Sequence, residues 1–290
     1  MPFPPGASTD NLARALGQKL SVNMGVPVVV ENRAGGGGIT GTELLARSAP
    51  DGYTIGMAVP ATHTLPLVLS RKVPYDPIAD FTPLSILAGN LLAVVVSPTL
   101  PVRSLRELVE YARANPGKLS YGSSGTGSSQ HLLGEMLNQF ANVNLVHVPY
   151  KGGSVALNDL LGGQIEVGYV VVSTVLPHVK AGRLRMLAVI DEKRYSELPD
   201  VPTHLEALPG FEPKTSWLGV FGPAKMPPAI SARLVAELQK AARDPELARF
   251  LNASGMPVIG SNGEQFAARL REDIAGWAPI VRAAKISVLD

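Results

Sequence analysis

Leu119-Ser120-Tyr121-Gly122-Ser123-Ser124-Gly125-Thr126-Gly127-Ser128-Ser129-Gln130-His131 is the stretch that decides the fold. Residues 119–122 predict a short strand, residues 123–129 a loop of serine, glycine and threonine. Leu132, Leu133, Met136, Leu137 and Phe140 then fall on one side of a helix. The same strand–loop–helix texture extends both ways. Upstream, residues 91–96 are a continuous apolar strand that stops at Ser97-Pro98, and Ser104 with Glu107 forms a capping box for a helix ending at Asn115-Pro116-Gly117. Downstream, strands are expected at 144–148, 165–172 and 184–190. Short helices lie between them, one capped by Ser154 and ending at Gly162-Gly163, the other over 175–181. Strands alternating with helices of this length give an α/β fold with a parallel or mostly parallel sheet covered on both faces.

The flanks read similarly. A helix begins near residues 8–10, with Leu12, Leu16 and Leu20 at intervals of four. Strands are expected at 26–31, 53–59 and 217–221, and helices at 39–47, 228–242, 245–251 and 264–284. Residues 60–83, with their prolines, form an irregular stretch. At 290 residues the chain fits two domains. The layout is a first domain of residues 1–97 and 216–290, a second of 98–215 inserted into it, and a two-crossing hinge at 94–97 and 214–219.

Composition excludes several classes of function. With 46% hydrophobic and 17% charged residues the chain is ordered, and a net charge of +2 without a Lys/Arg block argues against nucleic acid. No apolar run approaches the roughly 20 residues needed to cross a bilayer. The absence of cysteine rules out disulfides and thiolate chemistry. No basic region, apolar stretch and cleavage site precedes Pro2.

Two loops are suited to an anion. Pro2-Phe3-Pro4-Pro5-Gly6-Ala7-Ser8-Thr9-Asp10 hands an extended segment to a helix, where first-turn N–H groups lack partners and the dipole favours negative charge. The same residues also make an ordinary cap, and Asp10 suits the helix start better than an anionic ligand. The second loop, Ser123, Ser124, Gly125, Thr126, Gly127 and Ser128, has more small and hydroxylated residues than a cap requires. One such loop in each domain predicts a solute gripped from both sides of a cleft.

Other motifs lead away from catalysis. Gly36-Gly37-Gly38-Ile39-Thr40-Gly41 satisfies the dinucleotide pattern, but the following strand ends without the acid that would hold a ribose. No phosphate-binding Lys-Ser/Thr pair and no Gly-x-Ser-x-Gly elbow occurs. The five histidines are scattered, and His131 with Glu135 lacks a third ligand, so neither a metal nor a cofactor is expected. His131 reads equally as structural or as pointing a ring nitrogen into the cleft. Tyr150 and Gly152, in a loop after a strand, suit a cleft lining, and so do Phe3 and Trp217. Trp217 reads equally as a hinge-strand core residue.

The opening segment, taken with Val28-Val29-Val30-Glu31-Asn32-Arg33-Ala34-Gly35, Pro50-Asp51-Gly52-Tyr53-Thr54 and Pro74-Tyr75-Asp76-Pro77, resembles the Bug family. Asp80-Phe81-Thr82-Pro83, Val148-Pro149-Tyr150-Lys151-Gly152, Leu198-Pro199-Asp200-Val201-Pro202-Thr203 and Trp217-Leu218-Gly219-Val220-Phe221-Gly222-Pro223 extend the likeness over nearly the whole chain. These are the periplasmic solute receptors of tripartite tricarboxylate transporters. The resemblance implies a type II periplasmic-binding-protein-like fold of two doubly wound domains, a periplasmic location, and an organic-acid ligand delivered by a monomeric receptor to membrane permease subunits. It implies ligand contacts at Phe3, Gly6, Ala7, Ser8, Thr9, Asp10, Thr62, 123–128, His131, Tyr150, Gly152, Tyr169, Val170 and Trp217, and no catalytic residue. Two departures stand out. The first strand of the family is reduced here to Met1-Pro2-Phe3, the mark of a shortened start. Tyr169-Val170-Val171 also replaces the family's Phe-Asp-Asn, which disfavours an ammonium-bearing ligand. A small-acid-modifying enzyme using the same cleft, or a sensor receptor without a permease, are the alternatives.

Overall fold

A computed structural model of the chain describes residues 1–6, 8–284 and 286. Its strands among these residues are β1 (Gly56–Ala58), β2 (Phe81–Asn90), β3 (Leu92–Val96), β4 (Ser120–Ser123), β5 (Val146–Pro149), β6 (Val167–Val171), β7 (Arg185–Ile190) and β8 (Ser216–Pro223). The chain divides into two compact units. One holds Met1–Asn90 and Ser216–Gly276, the other Leu91–Thr215 and the described residues from Trp277 on. The expected crossing at residues 94–97 lies instead at Asn90–Leu91, because β3 is paired along both edges, with β6 and with β7. The return falls between Thr215 and Ser216, and the last helix, Gly263–Ala283, changes unit once more at Gly276–Trp277.

In the first unit β8 is the central strand of an antiparallel sheet ordered β1–β8–β2. Leu12, Leu16 and Leu20 of the helix Ser8–Met24 pack with Leu84, Leu218 and Leu238, so the interval-of-four pattern is this unit's core face. The expected strand at 26–31 does not form. The amino-terminal ammonium donates to Glu31 O at 2.9 Å and the Arg33 N–H donates to Met1 O at 2.8 Å, so the segment meets a neighbouring backbone over one residue only. A strand is defined by its ladder, and here the Val28 N–H turns instead to Ser21 Oγ at 2.8 Å. The strand β2 was not expected, because Pro83 and Gly89 break its texture. The register shifts between Pro83 and Ser85, a bulge that tolerates the missing proline donor. Residues 60–83 also contain two four-residue helices, Pro60–His63 and Leu65–Val68.

The second unit carries a five-stranded sheet ordered β5–β4–β6–β3–β7. Strand β4 runs parallel to β5 and β6, while β3 runs antiparallel to both of its neighbours. Both faces are covered, and the strand period of two shows it. Leu92, Val94 and Val96 enter one core with Leu105, Leu108 and Leu133, while Ala93 and Val95 enter another with Leu160, Ile165 and Val175. Among the described residues, no helix is long and apolar enough to cross a membrane, and no three His, Asp or Glu side chains converge on a metal position.

Candidate functional site

The first-unit loop is organised by Asp10 from beneath. The Gly6 N–H donates to Asp10 Oδ2 at 3.0 Å, and Arg14 Nε donates to the same oxygen at 2.9 Å. Asn32 Nδ2 donates to Asp10 Oδ1 at 2.8 Å and to Phe3 O at 3.0 Å. Burial raises the Asp10 pKa, but the bonds from Asn32, Arg14 and Gly6 outweigh it and bring it down to about 2. Both carboxylate oxygens therefore accept from within the protein, and Asp10 shapes the loop. Gly6 accepts a φ of +87°, a conformation that suits glycine, although its N–H is already committed to Asp10. Ser8 is partly exposed and Thr9 is buried; Ala7 lies outside the described residues.

Phe3, Gly38 and Thr62 meet nearby. A Cβ on Gly38 would stand 2.9 Å from the Phe3 ring and 2.8 Å from the Thr62 methyl. One on Gly41 would lie 2.6 Å from both Arg33 O and Pro2 Cα. The glycine pattern thus serves close packing of the helix Ile39–Ala46 on the opening segment. Thr62 does not offer its hydroxyl to a ligand: it is fully buried, donates to Val59 O at 3.0 Å and contacts His63 Nδ1 at 2.9 Å. Of its two readings, Trp217 takes that of a core residue. Its ring is fully buried, meets Phe266 edge-on at 4.9 Å, and donates its indole N–H to the buried Asp273 at 2.8 Å. That contact makes it a core residue of the first unit.

The second-unit loop leads out of β4 into the helix Ser129–Ala141. Ser128 caps the helix by accepting from the His131 N–H at 3.3 Å. This leaves the N–H groups of Ser129 and Gln130 without a partner among the described residues. Ser123, Ser124 and Gln130 open onto one pocket together with Gly153, the first residue of the helix Gly153–Leu161. Ser124 Oγ donates to Gln130 Oε1 at 2.8 Å. Ala156, Leu160 and Ile165 form the apolar wall, and Gly168, Tyr169 and Val170 complete it. No Lys, Arg, Asp or Glu lines this pocket among the described residues. Its polar equipment is therefore dipoles: two helix starts, backbone amides and hydroxyls.

Several second-unit residues take roles other than those expected. The Tyr150 hydroxyl donates to Asp159 at 2.8 Å, and burial first, then this carboxylate, pushes its pKa up to about 12. Tyr150 gives the site its backbone: its N–H holds Ser123 O at 3.1 Å. Gly152 caps the second helix at a φ of +128°. Tyr169 is buried edge-on to Tyr121 at 5.4 Å, with its hydroxyl unpartnered, and Val170 is partly exposed at the pocket wall. Thr126 is exposed at the loop tip. Gln130 and Gly153 lie within the two segments that sequence reading singled out but were not named as contacts, and His147 was missed. The first two adjoin helix starts, which is a usable signal; His147 offers none, since only the β4–β5 register brings it beside Ser123. Ser123 Oγ touches His147 Nε2 at 2.6 Å, yet that hydroxyl is buried and also bonded to the Gly125 N–H and carbonyl, so the contact braces the loop.

Gly125 holds a φ of +130°. Gly125→Ala should lower stability by about 1–3 kcal/mol through backbone strain and weaken anion binding. Chemical denaturation and calorimetry on the same variant would measure both, and unchanged values in both would contradict this account of the loop.

Residues 12–286 match the model of the tripartite tricarboxylate transporter family receptor. The chain belongs to that receptor family. It is 39% identical to a protein from the tcbD-tcbE intergenic region of Pseudomonas sp. (strain P51), over 97% of this chain and 84% of that one. It is 34% identical to protein BugT of Bordetella pertussis, over 97% and 87%. Among solved structures it superposes on Rpa4515 of R. palustris with adipate at a TM-score of 0.88, with 32% identity, 99% of this chain and 96% of that one. It superposes on MatC of Rhodopseudomonas palustris with bound malate at 0.82, with 28% identity, 97% and 96%. The periplasmic-binding fold of the tricarboxylate receptors is thus the fold of this chain, and the family is one of solute receptors.

Proposed function

We propose that this chain captures a small organic acid outside the cytoplasm and delivers it, as a single copy, to the large and small permease subunits of a tripartite transporter. The observation that carries the reading is the second-unit pocket. Two helix starts and the loop 123–130 border it, and among the described residues no charged side chain lines it to compete for an anion. Relatives solved with adipate and with malate support a carboxylate as the group bound. The first-unit helix start is held in shape by Asp10, which accepts from the Gly6 N–H and from Asn32. Val170 stands in the pocket wall where an acid would be needed to hold an ammonium, which favours an acid without an amine. Capture is reversible binding, without bond making.

The test is a thermal-shift screen with malate, adipate, citrate, glutamate and benzoate, followed by calorimetry. One acid at a hundred times its Kd should add about 2.7 kcal/mol of stability, and glutamate should add nothing. A folded protein that responds to none of the five would defeat the reading.

A further inference from the structure

Beneath the second-unit loop two imidazoles lie face to face. The His131 and His147 rings stack at 3.8 Å with 11° between their planes. His131 is buried at the start of its helix, and the Gly127 N–H, itself buried in the loop, donates to His131 Nδ1 at 3.0 Å. His147 holds the other end of the loop through the Ser123 contact, and Tyr121 packs against it at 5.1 Å. The Tyr121 hydroxyl in turn donates to Glu135 at 2.8 Å.

We propose that His131 is a positioning residue for anion capture, acting through Gly127, with His147 as the backing that keeps its ring in place. The inference rests on the reading of this loop as an anion site. An Nδ1 that accepts from Gly127 carries no proton, so the tautomer is fixed with the proton on Nε2. Burial lowers the His131 pKa to about 4, which keeps this acceptor available at neutral pH. Gly127 has a φ of +77°, and its N–H would otherwise be an orphan inside the loop. With the acceptor in place, that N–H is tied down and the loop keeps the conformation in which the amides of Ser129 and Gln130 remain free for an anion. His131 therefore contributes without touching the ligand.

The test compares His131→Asn, whose Oδ1 lies close to the place of Nδ1 and also accepts, with His131→Leu, which offers no acceptor. Calorimetry at pH 7 with adipate and malate as probes should leave the Asn variant within about threefold of the parent, while the Leu variant weakens about tenfold or more. The Gly127 amide resonance of the unliganded protein should stay downfield and protected from exchange in the parent and the Asn variant, and lose both properties in the Leu variant. If His131→Leu does not fold, His131→Gln, whose acceptor is displaced by one carbon, takes its place and should lose affinity in the same way. Parental affinity or an unmoved Gly127 amide in the Leu or Gln variant would overturn the proposal. If the parent binds neither of these two, the acid that the thermal-shift screen selects takes their place; if none of the five binds, the carboxylate reading fails by itself, and the Gly127 amide alone decides the role of His131.

Discussion

Gly134→Ala should be among the most damaging single-methyl changes in the second unit. Alanine is the better helix former by about 1 kcal/mol, and on an open face the change would stabilise the helix. Here a Cβ would stand 2.3 Å from the Tyr121 ring and 2.8 Å from its hydroxyl. Tyr121 cannot yield: it is fully buried, edge-on to Tyr169, packed on His147, and bonded through its hydroxyl to His131 O and Glu135. Overpacking of this kind costs about 1–3 kcal/mol, and the fixed ring places this site at the upper end of that range. Urea denaturation should show a lower midpoint at unchanged slope, and Tyr121→Phe in the same background should recover little, since the ring and not the hydroxyl is nearest. A midpoint equal to or above that of the parent would show that the core gives way more easily than its geometry indicates.

The second large effect is a loss of stability in mild acid, above the range in which carboxylates titrate. His63 is fully buried, stacked on Phe221 at 4.1 Å, and burial drives its pKa down to about 3. Burial does the same to His131 and His147, each held near 4, with the neighbouring His131 adding to the shift of His147. The sign follows from proton counting. Between the unfolded value near 6.5 and these lowered values the unfolded chain binds protons that the folded chain refuses, so stability falls as pH falls. For His63 the loss between pH 6.5 and pH 3 is on the order of 4 kcal/mol. Asp10, held near 2, adds a second loss that begins only below about pH 4. Denaturation midpoints at pH 7, 6 and 5 should decline, and His63→Phe, which keeps the stack and removes the titrating group, should flatten the decline. An identical slope in that variant would refute the role of His63.

Much of this was legible from local chemistry. Ser104 and Glu107 announce a helix start, and the structure keeps half of that box: Ser104 accepts from the Glu107 N–H at 3.1 Å, while the Glu107 carboxylate takes the N–H of Arg103, one residue earlier, at 2.7 Å. The run Leu92–Val96 reads as a strand covered on both sides because no polar residue interrupts it. The two anion-ready loops were legible because helix starts carry their own signal. The rest depended on partners distant in sequence. Trp217 could be placed on a strand but not on a face, because its N–H acceptor is Asp273, 56 residues away. Thr62 looked available until the Val59 backbone and His63 used the hydroxyl. The segment at 26–31 has β-branched residues in plenty, but pattern alone does not supply the neighbour that makes a ladder.

On the proposed reading, the pocket of the second unit meets an anion with amides and hydroxyls in place of lysine or arginine. Ionic strength screens charges over distances beyond about 8 Å at physiological salt, but it acts weakly on a short hydrogen bond to a shielded amide. Affinity built this way should change little between dilute water and brine. The corresponding cost is reach: without a positive field to draw anions in from afar, encounter is left to diffusion, and the holding time of the loop determines how well a scarce acid is retained.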